Sequence, residues 1–142
     1  MRLFFDTSTL VAAMVEGHPS HSVALPWLQR VKTDTGLVAA HTLAELYAIL
    51  TRLPITPRIP PAIALRLIQS NVLDRCKVVA LSGDDYVTLL QHVAGLAIAG
   101  GAVYDALLLH TAWTAGVDQV ITLNAHDFRR VYPALADKIV SP

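Results

Sequence analysis

Three carboxylates in this 142-residue chain stand against apolar sequence, where a charge is costly to hold. Asp6 follows Leu3-Phe4-Phe5. Glu45, one of only two glutamates, lies inside Leu43-Ala44-Glu45-Leu46-Tyr47-Ala48-Ile49-Leu50, and Asp105 is followed three, four and seven residues later by Leu108, Leu109 and Ala112. A fourth acidic position is divided between Asn124 and Asp127, in Thr122-Leu123-Asn124-Ala125-His126-Asp127-Phe128. A carboxylate at the edge of a core needs a partner of opposite charge, and most of the eleven basic side chains lie far from these acids in sequence. A divalent cation meets the need economically. Two carboxylates about 4 Å apart repel by roughly 1 kcal/mol in water, and by about 4 kcal/mol at an effective dielectric of about 20. A cluster of them therefore destabilises the empty fold and is relieved by Mg²⁺ or Mn²⁺. Such hard ions take oxygen ligands, keep several waters, and can deprotonate one of them for attack on a phosphodiester. The matching chemistry is metal-assisted hydrolysis.

Each acid also has a plain structural reading. Asp6 is a suitable helix N-cap. Glu45 could lie on a narrow solvated strip of its helix. Asp105 stands in a first helical turn, where a negative charge interacts favourably with the helix dipole. Asn124 and Asp127 both suit a cap. The four positions gain weight together, because the first and last follow strands while the other two lie on helices that can return to the same sheet edge.

The elements that position these residues alternate. Arg2–Phe5 is a short apolar strand ended by Asp6-Thr7-Ser8 and followed by a helix through Leu10 to Val15. A helix over His21–Lys32 and a buried strand over 36–40 come next, and Thr42 is placed to cap an apolar helix running to Arg52. That helix is apolar around most of its circumference, which predicts burial on all sides. Four prolines make Leu53–Pro61 a connector, and Pro60-Pro61 favours a new helix from Ala62 to Leu73. Lys77–Leu81 reads as a strand, and Ser82-Gly83-Asp84 as the turn and cap of a helix through Leu96. The next helix spans Val103–Ala115 and stops at Gly116. A strand over Gln119–Leu123, a short helix near Asp127 and a strand over Lys138–Val140 complete the chain. Strands joined by helical crossovers imply an α/β fold with a parallel sheet covered on both faces, in one domain over residues 1–142.

Composition narrows the function. With eleven basic and eleven acidic residues, net charge is zero, so no global basic field draws the protein to nucleic acid. Any such contact is local, at Arg52, Arg58 and Arg66 or at Arg129-Arg130. An apolar content of 54% exceeds the usual share for such a domain and suggests that some of it covers a partner surface. No apolar run approaches the roughly 20 residues of a membrane span. The N-terminus meets an acid too early for a signal peptide, and the single Cys76 permits no internal disulfide, so a cytoplasmic location is expected.

The segments Phe5-Asp6-Thr7-Ser8, His41-Thr42-Leu43-Ala44-Glu45, Tyr104-Asp105-Ala106-Leu107 and Val120 through Phe128, in this order and spacing, together resemble the PIN-domain ribonucleases. The VapC toxin group of bacterial toxin–antitoxin pairs is the most similar branch. No single segment is specific; their order over essentially the whole chain carries the match. The resemblance implies a three-layer fold with a central parallel sheet of four to five strands. It also implies an Mg²⁺- or Mn²⁺-dependent endoribonuclease, a homodimer and inhibition by a small cognate antitoxin. Carried over by position, Asp6, Glu45 and Asp105 correspond to the metal-binding catalytic acids. Many relatives place an aspartate where this chain has Asn124, which makes Asn124 site-lining and Asp127 an auxiliary catalytic acid. This departure leaves the number of metal ions open. Thr7, Ser8 and Thr122 are expected to orient the acids through their hydroxyls.

Other readings stand beside this one. His18 and His21, with His41, His92, His110 and His126, offer zinc ligands but lack cysteine partners or a His-Glu-x-x-His helix. His110 falls on a different helical face from Asp105 and reads as structural or exposed. Trp27, Trp113 and Tyr47 read as core. A receiver-type phosphotransfer domain would also gather acids at strand ends, and a catalytically silent PIN scaffold would bind RNA or protein without cleavage. Finally, the helices over His41–Leu53 and Ala62–Leu73 are apolar beyond the need of one sheet face, and a groove between them suits an amphipathic antitoxin helix.

Overall fold

Alternation of side chains along the strands divides the interior into two layers. In a computed structural model describing residues 1–142, five parallel strands form one sheet in the order β3-β2-β1-β4-β5. They are β1 (Leu3–Phe5), β2 (Gly36–Ala39), β3 (Cys76–Val79), β4 (Gln119–Ile121) and β5 (Ile139–Val140). Leu3, Phe5, Val38 and Ile121 project to one side, into a core with Leu10, Leu46, Leu50 and Ile68. Phe4, Leu37 and Val120 project to the other and pack with Leu109, Ala112 and Phe128. Both faces of the sheet are thereby covered, as an all-parallel sheet requires.

The first layer is built by α1 (Thr7–Met14), α2 (His21–Gln29), α3 (Ala40–Arg52) and α4 (Pro61–Ile68), the last widening into a π-helical turn over Gln69–Leu73. The second is built by α5 (Gly83–Gly95), α6 (Ala102–Ala115) and α7 (Ala125–Val131), with a 3₁₀ turn over Pro133–Lys138 leading into β5. Ser82 and Asp85 close a reciprocal capping box on α5, and Gly116 ends α6 with φ of 63°, the left-handed conformation that favours glycine. At Gly36 in β2, a Cβ would meet Arg75 O, Cys76 Sγ and Val31 Cγ2 at 2.9 Å each, so only glycine fits against β3.

The parallel α/β architecture and every expected strand are present, with strand boundaries shifted by one or two residues. Three expectations fail. Thr42 does not cap α3: the strand runs directly into the helix, extended Ala39 takes the N-cap position, and Thr42 is buried in the first turn. Nor is α3 buried all round. Thr42, Leu46 and Leu50 face the core, while Tyr47 and Ile49 face outward because only one side of the helix meets the sheet. Trp113 and Tyr47, expected in the core, are about half exposed, at 51% and 42%. Trp27 does pack against the core, with the Arg30 guanidinium 4.2 Å from its ring centroid. No helix is long and apolar enough to cross a membrane.

The strand order also bears on function. Receiver-type domains use the order 2-1-3-4-5, whereas this sheet runs 3-2-1-4-5 and reverses direction between β1 and β4. The phosphotransfer alternative is set aside on topology. The reversal opens a crevice beyond the carboxyl ends of β1 and β4, where ligands of such sheets bind.

Candidate active site

Asp6 stands at that reversal point. It is the first residue after β1, is only 2% exposed, and caps α1 by accepting from Thr9 N at 3.0 Å through Oδ1. Its Oδ2 accepts from Ser8 Oγ at 2.7 Å and from Thr122 Oγ1 at 2.9 Å. Thr122 directly follows β4, so the second of these bonds joins the ends of the two strands that flank the crevice. Thr9 reinforces the junction by donating from Oγ1 to Ile121 O at 3.0 Å. Burial pushes the Asp6 carboxyl above its ordinary 3.8, and the hydrogen bonds from Ser8, Thr9 and Thr122 only partly oppose that shift. The N-cap reading of Asp6 is thus correct and incomplete: a cap alone needs neither the burial nor the two additional hydroxyls.

Glu45 reaches the same region from α3. Thr7, the first residue of α1, donates from Oγ1 to Glu45 Oε1 at 2.8 Å, and Thr42 Oγ1 lies 3.2 Å from Thr7 Oγ1. Thr7 has one hydroxyl proton, so with that proton on Glu45 it accepts from Thr42. The chain Thr42, Thr7, Glu45 fixes one carboxylate oxygen and leaves the other free. His41 Nε2 lies 3.8 Å from Glu45 Oε1, at one helical turn's spacing.

Asp105 occupies the first turn of α6, one residue before the buried run Ala106–Ala112. The favourable dipole position does not dominate its chemistry. Burial, and then the negative charges of Asp6, Asp127 and Glu45, push its carboxyl above the ordinary 3.8. Elements from four parts of the chain therefore bring these acids within electrostatic reach of one another. Asp127 lies in the first turn of α7, exposed, with its Oδ1 3.8 Å from Arg130 Nη2. Asn124 is exposed at the N-cap position of α7 and makes no capping bond with its side chain; its backbone N–H donates to Thr122 Oγ1 at 2.9 Å. The charge of Asp127 is among those that act on Asp105.

No lysine or arginine pairs with Asp6, Glu45 or Asp105; the two ion-pair contacts in the molecule are His41–Glu45 and Arg130–Asp127. The site is a set of anionic oxygens without compensating side-chain charge, which suits a hard divalent cation. No three acidic, imidazole or thiol side chains converge closely enough to ligate one ion together. The zinc alternative fails on the same geometry. His18 Nδ1 accepts from Ser20 N and His21 Nδ1 bonds Ala12 O. His110 is buried with Nδ1 2.8 Å from Tyr132 Oη, and burial lowers its pKa.

Two residues bonded into the site escaped the sequence reading: Thr42 and Thr9. Thr42 carried a signal, since it lies three residues before Glu45 and hence on the same helical face. Near the C-terminal end of α3, Met14, Val15, Leu50, Leu53, Ile55, Ile59 and Leu67 line a largely apolar groove with Glu16, Gly17 and His18. It takes one residue each from α3 and α4, Leu50 and Leu67, and is otherwise lined by the end of α1 and the segment that joins the two helices.

A model of the PIN domain matches residues 3–133. Ribonuclease VapC40 of Mycobacterium tuberculosis (strain ATCC 25618 / H37Rv) is 38% identical over 111 residues, 78% of each chain. Ribonuclease VapC27 of the same strain is 34% identical over 106 residues, covering 75% of this chain and 73% of that one. A chain of a toxin–antitoxin complex from Klebsiella pneumoniae shares the fold with a TM-score of 0.67 at 18% identity, over 97% of this chain and 95% of that one. The order of the strands, the acids at their reversal and the match along nearly the whole chain agree: this protein belongs to the PIN-domain family, in its VapC group.

Proposed function

We propose that the protein is an Mg²⁺- or Mn²⁺-dependent endoribonuclease and the toxin of a toxin–antitoxin pair. The observation that carries this reading is the set Asp6, Glu45, Asp105 and Asp127, in which the charges of Asp6, Asp127 and Glu45 each act on Asp105 and no lysine or arginine answers the three inner acids. Two curated relatives named as ribonucleases, at 38% and 34% identity, support the activity.

Asp6, Asp105 and Glu45 would hold the ion. When bound, the ion would act as a Lewis acid on the scissile phosphate and lower the pKa of a water. The chain's own residues do the rest. Ser8 and Thr122 fix the Asp6 carboxylate by occupying one oxygen, and Thr7 fixes Glu45 in the same way. One of the carboxylates would take the proton from the attacking water. Asp127 adds negative charge from the rim of the site, and Asn124 lines it. The acidic crevice repels RNA phosphate until positive charge arrives, so RNA binding depends on the ion; the exposed Arg52, Arg58 and Arg66 and the Arg129-Arg130 pair meet backbone phosphates locally.

The largely apolar groove near the C-terminal end of α3 receives an amphipathic helix of the cognate antitoxin, and further exposed apolar side chains, including Tyr86, Val87 and Leu90 on α5, are covered in a homodimer. The activity functions in the cytoplasm, where RNA substrate is present. A silent PIN scaffold draws its one support from the lack of a converged three-ligand set. Incubating the purified chain with total cellular RNA and Mn²⁺ separates the two: the proposed enzyme yields discrete new RNA ends that EDTA abolishes, and a scaffold yields none.

A further inference from the structure

We infer that His41 and Tyr104 form a stacking platform for an unpaired base next to the scissile phosphate. This rests on the ribonuclease reading above. The two rings lie nearly parallel, at an interplanar angle of 7° with centroids 5.7 Å apart, an offset stack between residues of α3 and α6. Each ring adjoins an acid of the site: His41 precedes Glu45 by one helical turn, and Tyr104 immediately precedes Asp105. Tyr104 is 56% exposed, so its ring is open to a ligand.

The arrangement has the features of a base-binding surface. The imidazole supports one face of Tyr104 and restricts its rotamers, so less side-chain entropy remains to be lost on binding. A large part of the tyrosine ring stays open to solvent beside Asp105. RNA entering with a phosphate at the acids brings an adjacent base into this neighbourhood, and single-stranded RNA is recognised largely by stacking of splayed bases on aromatic side chains. Zero net charge makes such a contact more valuable, because no global electrostatic attraction holds the strand. Tyr104 contacts the base and His41 is a positioning residue behind it. The platform accepts any base, since every base presents a π face, and it selects for unpaired over duplex RNA.

The test uses the full wild-type chain with Mn²⁺, mixed rapidly with single-stranded oligoribonucleotides containing 2-aminopurine at successive positions and read before turnover. At one position next to the cleavage site, fluorescence is quenched on binding. Adding Tyr104→Phe preserves quenching and affinity; adding Tyr104→Ala removes the quenching and weakens binding by about five- to a hundredfold. His41→Phe keeps the quenching because the stack is kept, whereas His41→Ala reduces it. Melting temperatures verify that each variant is folded. If Tyr104→Ala binds and quenches like its parent, or if Tyr104→Phe loses binding as fully as Tyr104→Ala, the platform is refuted while wild-type cleavage of long RNA leaves the ribonuclease reading standing. If wild type neither binds nor cleaves any RNA, both fall. If antitoxin-derived peptide, and not RNA, is what depends on Tyr104, the surface belongs to protein recognition and the inference is overturned.

Discussion

Thr122 donates a hydrogen bond to the buried Asp6 carboxylate at 2.9 Å, joining residues 116 apart in sequence at the point where the sheet reverses direction. The contact ties the acid after β1 to the end of β4 and holds one of its oxygens in place, so a rigid strand pair, rather than a loop, sets the position of the first catalytic group.

At Asp6 the two roles can be separated. Asp6→Asn and Asp6→Ala both remove the charge, but only asparagine can still cap α1 through Thr9 N. Both lose RNA cleavage, and Asp6→Ala unfolds at lower urea than Asp6→Asn by about 1 kcal/mol, the usual worth of a cap. Equal stability of the two variants would deny the capping role; cleavage by either would deny the catalytic one.

Thr7→Val preserves shape and removes the donor that holds Glu45 Oε1. Cleavage at saturating Mn²⁺ falls by about 10- to 100-fold, the common effect of losing a group that orients a site carboxylate. Steady-state kinetics beside a melting curve check this. An unchanged kcat shows that Glu45 does not need the hydroxyl.

The raised pKa of Asp105 has a definite consequence for stability. A carboxyl whose folded pKa lies above its unfolded 3.8 contributes stability that is fully present below 3.8 and lost as pH rises through the folded value. At neutral pH the charged Asp105 therefore works against the fold. Asp105→Asn raises the melting temperature at pH 7 in EDTA, and the difference from wild type shrinks as pH falls toward 4. A pH-independent difference, or a destabilised variant, shows that the acids are not coupled as described.

At Gly36, a methyl group would stand 2.9 Å from Arg75 O, Cys76 Sγ and Val31 Cγ2, two of them backbone or strand neighbours with little room to move. Gly36→Ala costs about 1–3 kcal/mol in urea unfolding. Wild-type stability would mean that β2 and β3 separate easily.

The sequence exposed some of this architecture and concealed the rest for physical reasons. Strand–helix alternation was visible because short β-branched or aromatic runs, such as Leu3–Phe5, are bounded by capping residues such as Asp6. The end of α6 was visible in Gly116, whose left-handed conformation favours glycine. Hydropathy could not show which side of α3 meets the sheet, so Tyr47 and Ile49 were assigned inward when they face out. Thr42 was misread as a cap because residue type alone does not reveal that β2 enters α3 without a loop. The acids could be named individually, yet their coupling depends on strand order, which brings residues from α1, α3, α6 and α7 together.

The most direct measurement of the central claim is the rate of RNA cleavage by wild type and Asp105→Asn, each with Mg²⁺ or Mn²⁺ and each in excess EDTA, with folding verified by circular dichroism. The account predicts cleavage by metal-supplied wild type alone, with Asp105→Asn folded and inactive. Wild-type rates from Asp105→Asn, or from wild type in EDTA, would contradict it.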